Sequence, residues 1–372
     1  MNFTIITHVI HYKDDSLLLG YGPYIREMNI WLKHVDNVTI VAPFSKEKGG
    51  NIDLAYQHSK ISFNEIPALA FNRPLRILKS MLNLPLIIWK IFMAMQNSDH
   101  IHLRCPGNVG LISCFVQVFF PNKIKTAKYA GNWDPKSKQP WTYNLQKYIL
   151  NNTFLTRNMQ VLVYGEWENQ SKNIKSFFTA TYSDYEKGVI QKRNLNLGAE
   201  FVFVGSLVTG KNPMYALKLI NGLVKKETKV MLNIFGEGPE RNNIENYIQE
   251  NKLEDLVFLH GNQNQDIIKD AYKRSHFVIL PSKSEGWPKA VAEGMFWSNV
   301  PLSTNVSCIS YMLDKGKRGI LLEMNLEKDL VRIENLLLDQ TNYIKIGKLA
   351  AEWSQNYTTE VFETEIEKLI IK

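Results

Sequence analysis

Residues 276–297, HFVILPSKSEGWPKAVAEGMFW, decide the fold. The stretch opens with a short apolar run typical of a buried β-strand and ends with a segment that is typical of a helix, with Pro288 near its first turn. The loop between them carries Glu285, and the helix carries Glu293. A strand that leads through a short loop into a helix is the repeating unit of a parallel α/β sheet.

The same unit recurs on both sides of a polar stretch at 185–200, where we place a linker. We therefore predict an α/β fold of two Rossmann-like, doubly wound parallel-sheet domains that face each other across a cleft, with bounds 1–190 and 191–352. The predicted strands are FTIITHV, NVTIVAP, KISFNEI, HIHLRC, TAKYAG, MQVLVYG and FFTATYS in the first half, then EFVFVGSL, KVMLNIFGEG, LVFLHG, HFVILPS, VPLSTN and RGILLE.

Composition narrows the class of protein. The 372 residues include 44 Lys and Arg against 36 Asp and Glu, and this net charge of +8 favours anionic partners. No nucleic-acid recognition motif accompanies the charge, so we predict no nucleic-acid partner. Three cysteines without metal-ligand or disulfide-framework spacing favour a reducing cytoplasm. The N-terminus is typical of a first strand rather than a signal peptide, and the apolar runs 84–95 and 109–120 are shorter than a spanning helix.

Two loops of the second half combine glycine with a helix start. The first, in VGSLVTGKNP, places Lys211 just before a helix that we expect to begin at Pro213, where an ammonium can reach a phosphate. The alternative is a solvated loop lysine. The second loop contains Gly236 and Gly238, which permit a close backbone approach, and we expect its helix to begin at Pro239.

The stretch at 276–297 suggests a ligand site. The first amides of its helix, around Trp287, Lys289 and Ala290, have no carbonyl partners within the helix and favour an anion. Glu285 lies before the helix and can project into the cleft, whereas Glu293 can accept hydrogen bonds from ligand hydroxyls. The alternative is one glutamate that complements the helix dipole and one on the helix surface.

The order of these motifs over residues 200–323 resembles the nucleotide-binding domain of glycosyltransferase family 4, whose members are retaining enzymes of the GT-B fold. The resemblance implies that Lys211 binds the diphosphate, Glu293 the ribose and Glu285 the transferred sugar, with Asn262 and Gln263 near the base. Segment 353–372 is similar to the family's terminal helix, which returns to the first domain. The donor contacts implied by the resemblance also include Gly205, Ser206, Gly236, Gly238, Gly286, Trp287, Pro288, Lys289 and Ala290.

The chain departs from the family at two places. Ser206 stands where the family usually has an arginine, so one diphosphate cation is missing. Many relatives have a histidine after the strand in TAKYAGNWDP, whereas this chain offers Gly131, Asn132 and Asp134. We expect Asn132 to hydrogen-bond the sugar and Asp134 to lie on the acceptor side.

The first half resembles the family only in outline. Gly20, Tyr21 and Gly22 match a glycine loop that faces the donor phosphate, and the alternative is a flexible turn. His102 and Arg104 end a predicted strand, where we expect an acceptor-side role; a core histidine is the alternative.

Residues 71–96 mix basic and large apolar side chains. This composition suits an interfacial helix near anionic lipid, and it equally suits an ordinary domain helix with a basic edge. We expect a cytoplasmic protein with a peripheral contact to the inner face of the cytoplasmic membrane.

The resemblance predicts a retaining glycosyltransferase that moves a sugar from a nucleotide-sugar to a hydroxyl of a glycan or lipid-linked acceptor, in cell-surface polysaccharide synthesis. No D-x-D sequence is present, so we expect no metal at the diphosphate and no cofactor. Two alternatives stay open: a nucleotide-sugar epimerase on the same scaffold, and a non-catalytic subunit that binds glycan or membrane.

Overall fold

The structure is a computed structural model that describes residues 1–15, 17–47, 49–50, 53–69, 73–188 and 193–370. It divides into two compact units: the first is Met1–Phe178 with Phe362–Lys372, and the second is Thr179–Val361. The sequence places these boundaries at 190 and 352 instead. Part of the predicted linker lies outside the described residues.

The elements follow one another along the chain in α/β alternation. The strands are β1 (Asn2–Ile6), β2 (His11–Asp14), β3 (Leu17–Tyr21), β4 (Asn37–Pro43), β5 (Asp53–Ala55), β6 (Ile61–Ile66), β7 (His100–Cys105), β8 (Ile124–Tyr129), β9 (Met159–Tyr164), β10 (Ile174–Phe177), β11 (Ala199–Val204), β12 (Val230–Phe235), β13 (Val257–Gly261), β14 (Phe277–Leu280), β15 (Val300–Thr304) and β16 (Ile320–Leu322). The α-helices are α1 (Gly22–Leu32), α2 (Pro74–Gln96), α3 (Asn108–Val116), α4 (Trp141–Leu150), α5 (Pro213–Val224), α6 (Arg241–Glu250), α7 (Gln265–Arg274), α8 (Lys289–Phe296), α9 (Ile309–Met312), α10 (Leu326–Leu338), α11 (Gln340–Ser354) and α12 (Thr359–Ile370).

The first unit is built on a seven-stranded sheet in the order β10-β9-β8-β7-β1-β4-β6, and every pair of neighbours is parallel. Its central strands are buried almost throughout, as expected for a parallel sheet covered by helices on both faces. The predicted strand FFTATYS is wrong beyond Phe177, where β10 ends.

Strands β2 and β3 lie between β1 and α1 in the chain, and with β5, which follows β4, they form a small antiparallel sheet in the order β2-β3-β5. Residues 20–22 do not form a loop, because Gly20 and Tyr21 lie in β3 and α1 begins at Gly22; their contact with the donor phosphate stays a prediction. A β-carbon at Gly20 would lie 3.1 Å from Ile25 Cδ1, so close packing on the helix favours glycine here. Only Tyr21 of the three is exposed.

The second unit is built on a six-stranded parallel sheet in the order β13-β12-β11-β14-β15-β16. Its strands are apolar and its core includes stacked Phe201 and Phe277 on adjacent strands, 4.7 Å between ring centroids. In order of sequence this sheet reads 3-2-1-4-5-6, the strand order of a doubly wound dinucleotide-binding sheet.

Each parallel sheet reverses its winding at one place. In the first unit the reversal lies between β1 and β7, and in the second it lies between β11 and β14. Loops that leave the carboxyl ends of the two strands at such a switch point diverge and leave a crevice, which is where open α/β sheets bind ligands. The strand order therefore predicts that ligands bind at the loops after β1, β7, β11 and β14.

Candidate functional site

The switch point of the second unit holds an ion pair. Lys211, in the loop after β11, donates from Nζ to both carboxylate oxygens of Glu285, in the loop after β14, at 2.6 and 2.8 Å. The Glu285 side chain is 5% exposed and that of Lys211 is 30% exposed. The two residues that the sequence assigns to the sugar and the diphosphate thus contact each other.

Backbone and hydroxyl contacts hold the two loops in place. The Lys283 amide donates to the Gly210 carbonyl at 2.8 Å, which ties the loop after β14 to the loop after β11. The Gly286 carbonyl accepts from Ser307 Oγ at 3.1 Å and from the Cys308 thiol at 3.2 Å. Burial raises the pKa of Cys308 to about 12, so the thiol keeps the proton that it donates. These contacts fix Glu285 at the switch point.

The glycines after β12 pack against the loop after β11. A β-carbon at Gly236, where φ is 145°, would lie 1.9 Å from the Gly205 carbonyl oxygen, and one at Gly238 would lie 2.4 Å from the Leu207 carbonyl oxygen. The predicted close approach exists, and in this structure the neighbour is protein backbone. The prediction that the helix begins at Pro239 is wrong, because α6 begins at Arg241.

The loop after β11 is already engaged along its backbone. The Gly205 amide donates to Phe235 O and the Leu207 amide to Glu237 O, both at 2.9 Å. Ser206, which replaces the family arginine, is exposed. Lys283 on the adjacent loop is also exposed and supplies a second cation near this edge of the sheet.

Helix α8 begins at Lys289, with Pro288 next to its first turn as predicted. Pro288 is its N-cap, and the first turn closes with the Val291 and Ala292 amides donating to the Pro288 carbonyl at 3.0 and 3.2 Å. Trp287 is buried and stacks near Trp353, 6.2 Å between ring centroids. Its side chain therefore anchors the helix start, and Ala290 is likewise buried.

Glu293 lies among hydroxyl groups of the second unit. Thr181 Oγ1 donates to Glu293 Oε1 at 2.7 Å. Burial first, and the Glu293 carboxylate second, raise the pKa of Tyr182 and of fully buried Tyr272. A carboxylate surrounded in this way accepts hydrogen bonds from hydroxyls, which is the chemistry that the ribose role requires.

The predicted base contacts follow β13. Asn262 is exposed, and Gln263 Nε2 donates to the His260 carbonyl at 2.7 Å. His260 stacks on Phe235 with ring centroids 4.5 Å apart and bonds to Asn233 Oδ1 at 2.7 Å. This stacked pair was not predicted.

In the first unit the predicted loop after β8 packs beside the loop after β7. The Ala130 amide donates to the Cys105 carbonyl at 2.7 Å. Asn132 is 9% exposed, and its Oδ1 accepts from the Asp134 amide at 2.9 Å, which forms an Asx turn. Its side chain therefore shapes the loop, and its bond to a sugar stays a prediction.

His102 and Arg104 are both engaged inside the first unit. His102 is fully buried and bonds to Thr126 Oγ1 at 2.9 Å, which is the core-histidine alternative; burial chiefly lowers its pKa well below the usual value. Arg104 donates to buried Glu27 at 2.9 Å and lies over the Tyr24 ring. Neither arrangement supports the predicted acceptor-side role, which stays a prediction.

Sequence reasoning missed His8. It follows β1 at the switch point of the first sheet, and a β-carbon at Gly107, in the loop after β7, would lie 3.0 Å from its Nδ1. Desolvation by neighbouring protein atoms, and to a smaller extent the charge of Arg104, lower the pKa of His8, although part of the residue is exposed. The predicted strand FTIITHV included His8, so the sequence carried no signal that this histidine follows the strand.

Over the described part of the chain, no three His, Cys, Asp or Glu side chains group as a metal site.

Residues 190–358 match the family described as glycosyl transferases group 1. An uncharacterized glycosyltransferase of Methanocaldococcus jannaschii is 25% identical over 191 residues, which are 51% of this chain and 52% of that protein. The match thus spans about half the length of that relative.

Several solved structures resemble the whole chain, including the following two. Sucrose-phosphate synthase of Thermosynechococcus elongatus has a TM-score of 0.69 at 16% identity and covers 99% of this chain and 98% of its own. HepE of Anabaena, solved with UDP and glucose, has a TM-score of 0.64 at 14% identity over 100% of both chains. At such identities the likeness shows the fold alone, and it confirms the predicted GT-B class with two Rossmann-like domains. The part of the chain that matches glycosyl transferases group 1, residues 190–358, contains the Lys211–Glu285 pair.

Proposed function

We propose that this protein is a retaining, metal-independent glycosyltransferase that moves a sugar from a nucleotide-sugar to a hydroxyl of a glycan or lipid-linked acceptor, in cell-surface polysaccharide synthesis. The observation that carries the proposal is the Lys211–Glu285 ion pair at the switch point of the second sheet. The family match of the same residues supports transfer of a sugar.

A nucleotide-sugar can separate this ion pair, because its diphosphate can bind Lys211 and its sugar hydroxyls can bind Glu285. The diphosphate competes with Glu285 for the partly exposed ammonium of Lys211. Loss of that partner leaves a buried carboxylate without its cation, which is unfavourable unless other donors replace it. Sugar hydroxyls supply those donors. Binding of a complete nucleotide-sugar therefore satisfies both residues, whereas a nucleotide alone satisfies only one.

In the proposed reaction the bond between the anomeric carbon and the diphosphate oxygen breaks, and the acceptor oxygen bonds to that carbon on the same face. The acceptor proton passes to the leaving phosphate oxygen, so the products are the nucleoside diphosphate and the glycoside. Lys211 stabilises the negative charge that develops on the leaving oxygen. Glu285 stabilises the positive character of the sugar and orients it.

The nucleotide occupies the second unit in this proposal. Lys211, Glu285 and Glu293 all lie there, as do Asn262 and Gln263. HepE, which was solved with UDP, makes uridine diphosphate sugars the first donors to test. A nucleotide-bound structure with the base against residues 1–178 would contradict this placement.

The test is release of nucleoside diphosphate from a panel of nucleotide-sugars by the full chain, with and without glycan and lipid-linked acceptors. We expect release that depends on acceptor, persists with EDTA and yields a product with the anomeric configuration of the donor by NMR. Conversion of the donor sugar without acceptor would indicate an epimerase. Donor binding without turnover on any acceptor would indicate a non-catalytic subunit, and either result contradicts the proposal.

A further inference from the structure

Helix α2 has two apolar faces, of which only one is covered by the first unit. The core face consists of Ser80, Ile87, Ile91, Ala94 and Met95, all buried. The opposite face, here called the outer face, repeats at helical spacing and is exposed. The outer face consists of Leu75, Leu78, Leu82, Leu86, Trp89 and Met93.

The outer face exposes more contiguous apolar side chains than the surface of a water-soluble protein usually does. Leu75 is 81% exposed and Leu82 is 73% exposed, and Met81, Ile88 and Phe92 widen the face on one side. The helix has 23 residues, and the outer face extends along about 27 Å of it, from Leu75 to Met93. Contiguous exposed apolar surface of this extent marks an interaction site.

The apolar surface continues beyond α2. Phe92 packs against Phe120 with ring centroids 4.9 Å apart. Near this contact, at the end of α3 and in the 3-10 turn that follows it, Phe115 and Phe119 are 50% and 74% exposed. The exposed apolar patch therefore includes side chains of α2 and of the segment at the end of α3.

Charge along α2 has one sign. Residues 74–96 contain no Asp or Glu. Lys79 is exposed beside the outer face, whereas Arg76, exposed in the first turn, lies on the side of Ser80, and Arg73 is the helix N-cap. Lys90 lies on the side of Lys79 and bonds to the Glu65 carbonyl at 2.5 Å. Cations next to Leu and Trp on one helix are the arrangement of helices that lie in the interface of an anionic bilayer.

The helix is long and apolar enough to cross a membrane by length and composition alone, which the separate apolar runs in the sequence did not indicate. The topology argues against a span. Helix α2 connects β6 to β7 of one parallel sheet, and its core face packs on that unit through residues such as Ile87 and Ile91, both 0% exposed. A spanning helix would have to leave this packing.

We propose that the outer face of α2 docks this protein on an anionic lipid bilayer, with the helix axis parallel to the membrane plane. Leu and Trp side chains enter the boundary between head groups and acyl chains, and Arg76 and Lys79 contact lipid phosphates. A second copy of this chain is the less favoured occupant, because pairing two such faces would bring two edges of the same charge together. This inference is independent of the proposed enzymatic activity.

The test is co-sedimentation of the full chain with vesicles of phosphatidylcholine, alone or mixed with phosphatidylglycerol. We expect binding to the mixed vesicles and weak binding to phosphatidylcholine alone. Leu78→Glu with Leu82→Glu should abolish binding. The matched control is Leu197→Glu with Leu338→Glu, two leucines of the second unit that are each 87% exposed, and it should bind as the native chain does.

Charge is tested separately. Each basic residue near such a surface contributes about fivefold in affinity, so Arg76→Glu with Lys79→Glu should weaken binding at least about 25-fold. Lys225→Glu with Lys229→Glu makes the same change of net charge on exposed lysines of the second unit and should change binding little. Raising salt from about 0.1 to about 1 M shortens the Debye length from about 10 to about 3 Å and should also weaken binding.

Three outcomes would overturn the proposal. Equal binding of the Leu78→Glu, Leu82→Glu variant and its control would show that the outer face is not involved. A native dimer in analytical ultracentrifugation that this variant converts to monomer, without vesicle binding by either, would identify a second copy as the occupant. Membrane association that resists both high salt and carbonate would indicate a spanning helix instead.

Discussion

Lys211 and Glu285, 74 residues apart in the chain, form a two-point ion pair across the switch point of the second sheet. The lysine is the more exposed partner, so a ligand reaches the cation first. In the proposed function, each residue of the pair exchanges its partner for one end of the donor: Lys211 for the diphosphate and Glu285 for the sugar hydroxyls. Substitutions at the two residues therefore test the two ends separately.

Glu285→Gln should lower kcat about 10- to 100-fold, because the neutral amide loses charge-assisted bonds worth roughly 1.5–3 kcal/mol to the reacting sugar. Affinity for the nucleoside diphosphate should stay equal or rise, since Lys211 no longer has a competing carboxylate. Steady-state kinetics and calorimetry measure the two quantities. Glu334→Gln, which alters the exposed pair with Lys226, is the control. An unchanged kcat would show that Glu285 only pairs with Lys211 and does not act on the reacting sugar.

Lys211→Ala should raise the donor KM and lower kcat together, because a phosphate cation binds the ground state and also stabilises the leaving group. It should also destabilise the second unit by about 1–3 kcal/mol, since it leaves the Glu285 carboxylate unpaired. Adding Glu285→Gln should restore the stability measured by urea unfolding without restoring activity. Recovery of activity in the double variant would contradict the proposed roles.

Glu293→Gln should chiefly raise the donor KM, because the ribose does not change during the reaction. Thr181→Val removes the hydroxyl that donates to Glu293 and separates two explanations. If the carboxylate binds ribose, the Thr181 variant should keep a donor KM close to the native value. If the two variants change stability equally and leave the donor KM unchanged, Glu293 only accepts the hydrogen bond from Thr181 and does not bind the donor.

Gly236→Ala should destabilise the second unit by about 2 kcal/mol or more, because the new β-carbon would lie 1.9 Å from the Gly205 carbonyl oxygen at a backbone φ of 145°. Gly210→Ala is the matched control on the neighbouring loop, where no atom lies within 4 Å of the added carbon. Urea unfolding measures both. Equal stability of the two variants would contradict the observed packing of the loops.

The first unit should lose stability as the pH falls from 6.5 toward 4. Burial lowers the pKa of His100 from 6.5 to about 4, so below pH 6.5 the unfolded chain binds a proton that the folded chain does not. At pH 5 this difference in proton binding at His100 alone lowers the free energy of unfolding by about 2 kcal/mol. His100→Asn should reduce the slope of unfolding free energy against pH, whatever its effect at pH 7. An unchanged slope would contradict the prediction.

The sequence by itself determined the alternation of elements. Apolar β-branched runs gave the strands of both sheets, with NVTIVAP matching β4 residue for residue, and Pro213 begins α5 as predicted. These features follow from local chemistry, namely side-chain period and helix-start residues, which act over a few positions. Where a short local signal had two interpretations, as at Gly20, prediction failed because pairing with a distant strand decided the outcome.

Only the tertiary structure decided which side chains meet. Strand order brought Lys211 to Glu285 and His8 beside the loop after β7, and no local pattern encodes that order. Packing likewise buried His102 in the core. The outer face of α2 stayed exposed although its residues are apolar, because no other segment of the described chain covers it. The physical reason is that pairing, packing and desolvation are properties of contacts between segments far apart in the chain, whereas propensity and period belong to each segment alone.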